Sequence, residues 1–127
     1  MLPKRYRLRR SADLERVRQQ GQSWRHPLVI LLVIRNAQAV SRFGFIASRR
    51  VGKATVRNRA RRLLREALRC HLNEIKPGWN CLLIARQPIT QATGAEVEAA
   101  VLQLLTRANL LTSAVETSAP GAPSPGR

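Results

Sequence analysis

The chain has 127 residues, 44% of them hydrophobic and 24% charged, a mixture that fits one folded domain with a real core and excludes a fully disordered polymer. Its formal net charge of +16 exceeds what solubility requires at this size and calls for a polyanionic partner, either nucleic acid or an acidic membrane surface. The longest apolar run, "LVILLVI" at 28–34, is far short of the about 20 residues that cross a bilayer, and the N-terminus is polar and Arg-rich rather than signal-like, so a cytoplasmic protein with no membrane partner is expected.

In chain order, "SADLERVRQQG" reads as a short helix. Ser11 is its expected N-cap, Asp13 and Glu15 sit near its positive end, Leu14 and Val17 mark its inner face, and Gly21 is its stop. Residues 24–34, rich in β-branched side chains and Leu, read as one strand or two, and 42–48 as another after the polar link "RNAQAVS"; the two segments are expected to pair as a hairpin. Along 28–34 the side chains of both faces are apolar, so both faces of the sheet want cover or a ligand, and one is expected to be a partly open apolar floor.

Residues 55–72 read as a helix whose two halves differ. At 100° per residue, Val56, Ala60, Leu63, Leu64, Ala67 and Leu68 fall on one side. Asn58, Arg59, Arg61, Arg62, Arg65 and Arg69 spread over the other, with Arg57 at the border. Arg57, Arg61, Arg65 and Arg69 form an i, i+4 ladder of like charges, an arrangement that costs a few tenths of a kcal/mol per pair in isolation. A merely solvated helix would interleave acids, and only Glu66 does so. Ahead of it, Arg49, Arg50 and Lys53 occupy the link from the preceding strand, where Gly52 frees the backbone and the helix N-terminus offers unpaired N–H groups to an anion.

The rest of the chain carries no such excess. Residues 1–69 hold 19 of the 23 basic residues and only Asp13, Glu15 and Glu66, whereas the remainder is neutral, so the charge marks a dedicated surface. Twenty of the 23 are Arg, whose planar fork suits phosphates and stacks on bases, which favours nucleic acid over lipid. "KPGW" at 76–79 reads as a turn, 80–86 as a strand closed by Pro88, and Thr93 with Glu96 as a capping box opening a core helix that carries Val97, Ala100, Val101, Leu104, Leu105 and Ala108. Residues 112–127 form a Pro, Ser, Ala and Gly tail with no buried pattern and are expected to be disordered. Cys70 and Cys81 offer neither metal spacing nor a disulfide framework and read as reduced thiols at core edges.

The run "RFGFIASRRVGKATVRNRARRLLREALR" resembles the signature of the protein subunit of bacterial ribonuclease P, in which an R-N-R triplet opens a basic helix after a strand ending in a basic pair. The flanking "RLRRSADLERVRQQG" and "CLLIARQPIT" agree in order, and the resemblance covers roughly residues 5–110. It implies an α+β fold over residues 1–111: a single α-β-β-β-α-β-α sandwich with a left-handed βαβ crossover, ribosomal protein S5 domain 2-like. It also implies a role, in which one small protein binds each catalytic RNA and helps remove the 5′ leader of precursor tRNA. Arg57, Asn58, Arg59, Arg61, Arg62 and Arg65 would then contact the RNA subunit and help order Mg2+ that the RNA itself mainly holds. Arg49, Arg50, Lys53 and Arg69 complete the expected RNA-binding set. A second surface, a cleft for the single-stranded leader, would be lined by Leu14, Val17, Arg18 and Leu32. Here the chain departs from the family, which often places aromatics where this sequence has Leu14, Arg18 and Leu32; Tyr6, Trp24, Phe43 and Phe45 are its available rings.

Independently of any resemblance, a phosphodiesterase centre needs clustered carboxylates or a positioned His pair. The seven acidic residues are scattered and His26 and His71 stand apart, so no protein active site is expected. Two other readings share parts of the pattern: a ribosomal protein shares the Arg excess and tail, and a helix-turn-helix DNA binder shares a basic helix. The latter is weaker, because an Arg-dominated helix fed by a strand suits backbone phosphates rather than base edges.

Overall fold

The computed structural model describes residues 3–112. Its elements are α1 (Ser11–Gln20), β1 (Gln22–Arg25), β2 (Val29–Arg35), β3 (Arg42–Ala47), α2 (Ala54–Arg69), β4 (Trp79–Ala85) and α3 (Gly94–Arg107), with short 3-10 helices at Lys4–Tyr6, Leu72–Glu74 and Gln87–Gln91. The expected order of helices and strands is therefore the observed one, a mixed α+β domain built on one sheet. The tail from residue 113 onward lies outside the described residues.

Strand order is β1-β2-β4-β3. The apolar stretch expected at 24–34 is two strands, β1 and β2, antiparallel to each other. The hairpin expected between that stretch and 42–48 does not form, because β4 lies between β2 and β3, antiparallel to the first and parallel to the second. The polar link 36–41 explains why. It is stitched to the turn before β4 rather than closed on itself: Asn36 N–H donates to the Gly78 carbonyl at 2.9 Å, and the Asn36 side-chain amide donates to Asn80 Oδ1 at 2.9 Å. Ser41, only 5% exposed, donates its hydroxyl to the Lys76 carbonyl at 2.7 Å and accepts the Trp79 N–H at 3.0 Å. A buried hydroxyl with both bonds made costs little, and here it fixes the start of β4 against the start of β3.

The all-apolar β2 divides its faces between two cores. Val29, Leu31 and Val33 join Phe43, Ala47, Cys81, Leu83 and Ala85 in the main core, closed by Ala60, Leu64, Ala67 and Leu68 of α2 and Val97, Ala100, Val101, Leu104 and Leu105 of α3. The capping box opening α3 is present in full, Thr93 Oγ1 accepting from Glu96 N–H at 3.2 Å and Glu96 Oε1 from Thr93 N–H at 2.9 Å. Cys81 is wholly buried in the middle of this core rather than at its edge, and burial pushes its thiol well above the ordinary range; Cys70 is exposed.

On the opposite face α1 covers a smaller core of Leu8, Val17 and Leu82, with Leu14, Leu32, Ile34, Ile46 and Ile84 half-buried around it. Two details of α1 differ from expectation. Ser11 is the first helical residue; Arg10 occupies the cap position, and no side chain caps the helix there. Gly21 is extended (φ −75°, ψ 156°) rather than left-handed. Its necessity is steric, since a Cβ at this position would stand 2.6 Å from the Val17 carbonyl oxygen and 2.9 Å from that of Val33. Helix α2 ends at Arg69, three residues before the end expected, where the chain turns to seat His71 between Glu98 (Nε2 to Oε2, 2.8 Å) and Glu74 (Nδ1 to Oε1, 3.2 Å).

Candidate nucleic-acid interface

The sequence separates α2 into an apolar and a cationic half, and the structure keeps them apart. Leu64 and Leu68 have no exposed surface and Ala60 and Ala67 almost none. Across the helix Asn58, Arg59, Arg62 and Arg69 are exposed, and Arg57, Arg61 and Arg65 half-buried. The half-buried arginines are partly covered by the fold rather than fully solvated. Arg57 carries this furthest, with its Nε buried and without a hydrogen-bond partner.

The candidate residues are not equivalent. Arg61 donates to Asn58 Oδ1 across one turn, so the Asn holds a guanidinium in place on the helix surface. Arg59 leans the other way and donates to the Ala92 carbonyl at 3.4 Å, tying α2 to the segment before α3. Arg69 pairs with Glu66 at 2.8 Å, which holds the Glu66 carboxyl below the usual carboxylate range, chiefly through that hydrogen bond. Arg65 lies over the Phe45 ring, 5.9 Å from its centroid.

At the head of the helix the turn 48–52 is closed by Val51 N–H to the Ser48 carbonyl (3.0 Å) and Gly52 N–H to the Arg49 carbonyl (3.1 Å). Val51 is anchored in the core at 4% exposure while Arg49, Arg50 and Lys53 are exposed. Gly52 has φ +152°, and a Cβ there would meet the Val56 side chain at 2.9 Å. Lys53 caps α2 without a side-chain hydrogen bond and no acid lies in the first turn, so nothing anionic competes for that helix end. Turn and helix thus expose Arg49, Arg50, Lys53, Arg59, Arg62 and Arg69 along one stretch of chain.

The four residues expected in a leader cleft divide. Leu14 sits over Gly44, and Leu32 is half-buried on the sheet face beside Leu82. Arg18 is exposed on α1. Val17 is 0% exposed, a core residue that holds α1 down and offers no surface to a ligand. Beside the cluster that α1 covers, Ile30, Ile84 and Ile46 form one row across β2, β4 and β3, each half-buried. This row is a partly open apolar floor; the sequence pointed to Ile30, within the all-apolar stretch 28–34, but not to Ile46 or Ile84. The rings do not line it: Phe43 is buried in the main core, and Tyr6, Trp24 and Phe45 pack against that core on the other side of the sheet.

Carboxylates hold structural posts. Glu15 accepts from Gln19 (2.9 Å), Glu66 pairs with Arg69, Glu74 and Glu98 flank His71, and Glu96 closes the α3 cap. Among the described residues no group of three or more His, Cys, Asp or Glu side chains is placed to hold a metal ion. No helix among them is long and apolar enough to cross a membrane.

Fold and surface together define a class: a small, strongly basic α+β protein whose arginine helix links two parallel neighbouring strands. The family profile described as Ribonuclease P matches residues 2–109. The ribonuclease P protein component of Roseiflexus castenholzii is 40% identical over 111 residues, covering 87% of this chain and 91% of that protein. That of Alkaliphilus oremlandii is 36% identical over 109 residues, covering 86% and 96%. Among solved structures, the Staphylococcus aureus RNase P protein superposes with a TM-score of 0.77 at 26% identity over 84% of this chain and 97% of that one. The Thermotoga maritima RNase P protein gives 0.73 at 30% identity over 80% and 96%. This chain belongs to the family of bacterial ribonuclease P protein components, and so to the machinery of tRNA processing.

Proposed function

We propose that the protein docks the cationic strip of α2 and the turn before it on the catalytic RNA of ribonuclease P, one protein per RNA, and helps that RNA remove the 5′ leader of precursor tRNA. The observation that carries the reading is the lengthwise division of α2, greasy toward the main core and arginine-rich toward solvent. Four arginines one turn apart repel one another, and a polyphosphate backbone turns that repulsion into attraction while releasing counterions. Arg49, Arg50, Lys53, Arg57, Arg61, Arg62 and Arg65 make these contacts, with Asn58 holding Arg61. Arg59 and Arg69 contribute more weakly, because each already has a partner within the protein.

The leader of the precursor runs along the open floor of Ile30, Ile84 and Ile46 and past Leu32, with Arg18 meeting its phosphates. An aliphatic floor gives apolar contact without ring stacking, so binding there is sequence-tolerant and rests on the cation. The Mg2+ ions of the reaction stay with the RNA. Glu15, Glu66, Glu74, Glu96 and Glu98 are committed to hydrogen bonds within the protein, which supports a supporting rather than a catalytic role for the chain.

Processing tests the reading. Added to the RNA subunit at low magnesium, the protein stimulates cleavage of a leader-bearing precursor and leaves leaderless tRNA untouched. No stimulation, or cleavage of the precursor by the protein alone, overturns it.

A further inference from the structure

Helix α3, the turn that joins β1 to β2 and the 3-10 helix Gln87–Gln91 enclose a cavity of about 550 Å³. Ligand sites run from roughly 300 to 1,000 Å³, so this one is of ordinary size. Leu28, Pro88, Ala92, Ala99 and Ala100 supply its apolar walls. Its polar groups are neutral. Leu28 N–H donates to Nδ1 of His26 at 3.0 Å, which leaves the ring proton on Nε2. Burial first, and Arg107 second, hold that ring below 6.5, so it is uncharged at neutral pH. Gln91 and Gln103 add two carboxamides, and neither makes a hydrogen bond to another described residue. Glu96 is the one acid on the wall, and it is engaged by Thr93 N–H at 2.9 Å.

The chain carries a formal net charge of +16, yet no Arg or Lys lines this cavity. The cations stand at its border instead. Arg59 of α2 donates to the Ala92 carbonyl at 3.4 Å and Arg86 to the His26 carbonyl at 3.3 Å, so each is fixed to a lining residue with donors to spare. A neutral hollow edged with amides and bordered by guanidinium groups repeats the pattern of a single RNA strand, in which a flat uncharged base hangs from an anionic backbone. We propose that the cavity receives one unpaired nucleobase of the RNA subunit, turned out of its strand, with Gln91, Gln103 and His26 meeting its edge while Arg59 and Arg86 hold the flanking phosphates. Arg59 belongs to the helix that docks on that RNA, which selects the RNA subunit over the precursor as the source. The inference rests on that docking and adds recognition of a base to a surface otherwise made for phosphates.

The test uses the full chain with two cavity variants: Ala99→Leu fills the hollow from an exposed position, and Gln103→Ala removes one amide and leaves the walls intact. Arg86→Gln probes the border, and Ala12→Leu on α1 and Arg62→Gln on α2 are exposed controls, each variant checked for an unchanged melting midpoint. Affinity is measured against salt in two arms, protein for the RNA subunit and assembled particle for precursor tRNA, and base-specific alkylation of the RNA subunit is mapped in the particle. Each cavity variant weakens binding to the RNA subunit by about 2- to 10-fold, the net worth of one hydrogen bond, and leaves the salt slope unchanged because no phosphate contact is lost. Both expose to alkylation the same unpaired base that the wild-type protein shields. Arg86→Gln lowers the slope by about 0.7 to 0.9, the counterion equivalent of one phosphate, and Ala12→Leu changes neither reading. Wild-type affinity and an unaltered alkylation map in both cavity variants, while Arg62→Gln still lowers the slope, overturn the cavity and leave the helix interface standing. A loss confined to the precursor arm overturns the RNA subunit as the source of the base. Slopes unchanged by Arg86→Gln and Arg62→Gln alike overturn the docking itself.

Discussion

Gly21, at the end of α1, lies so close to Val33 of β2 that a methyl group on it would stand 2.9 Å from the Val33 carbonyl oxygen. This contact sets how tightly the first helix closes on the sheet, and with it the width of the apolar floor beside it. Both obstructing atoms are backbone carbonyls, of Val17 and Val33, so they cannot rotate away as a side chain would. Gly21→Ala is expected to destabilise the fold by about 1–3 kcal/mol, the usual cost of forced overpacking, read as a lower urea midpoint. Precursor binding should fall more than binding to the RNA subunit, because α1 borders the floor and not α2.

Arg61 and Arg62 face outward from a helix whose other side is closed core. Arg61→Ala combined with Arg62→Ala should lower the slope of log affinity for the RNA subunit against log salt by roughly 1 to 2, two phosphates' worth of released counterions. Melting of the free protein should change little, since neither residue belongs to the buried core. An unchanged slope would remove the helix from the interface.

Arg18, like Arg16, is an exposed cation of α1 next to the buried Val17. Arg18→Ala should weaken binding of leader-bearing precursor by about 2- to 5-fold, as for one solvent-screened charge contact, and leave mature tRNA unaffected. Equal losses for both substrates would place Arg18 away from the leader.

His26, in the turn between β1 and β2, accepts the Leu28 N–H on its Nδ1 at 3.0 Å. Burial first, and the nearby Arg107 guanidinium second, hold its pKa below the ordinary value of 6.5. The folded state therefore binds fewer protons than the unfolded one between the folded pKa and 6.5, so this group's contribution to stability is present above 6.5 and lost as pH falls through the folded value. An NMR titration of the His26 ring should show a midpoint below 6.5 that moves only part of the way back in Arg107→Gln, since desolvation is the larger cause. A midpoint at or above 6.5 would contradict this environment.

Much of this protein is local in origin and was legible in its sequence. The division of α2 follows from a 3.6-residue period, the start of α3 from a Thr and a Glu three apart, and the alternation of helices and strands from composition. The family resemblance rests on the same local run, "RRVGKATVRNRARRLLREALR". What stayed hidden is what depends on distant partners. An all-apolar β2 carries no record of which strand lies beside it, so β4, arriving 44 residues after Asn36 at its Asn80 contact, displaced β3 from the expected hairpin. The same non-local placement turned Phe45 toward α2 and away from the floor, sank Val17 entirely, and put Cys81 at the centre of the core. Periodicity tells a side chain which half of its own element it occupies; only the packing of the whole chain decides what stands opposite.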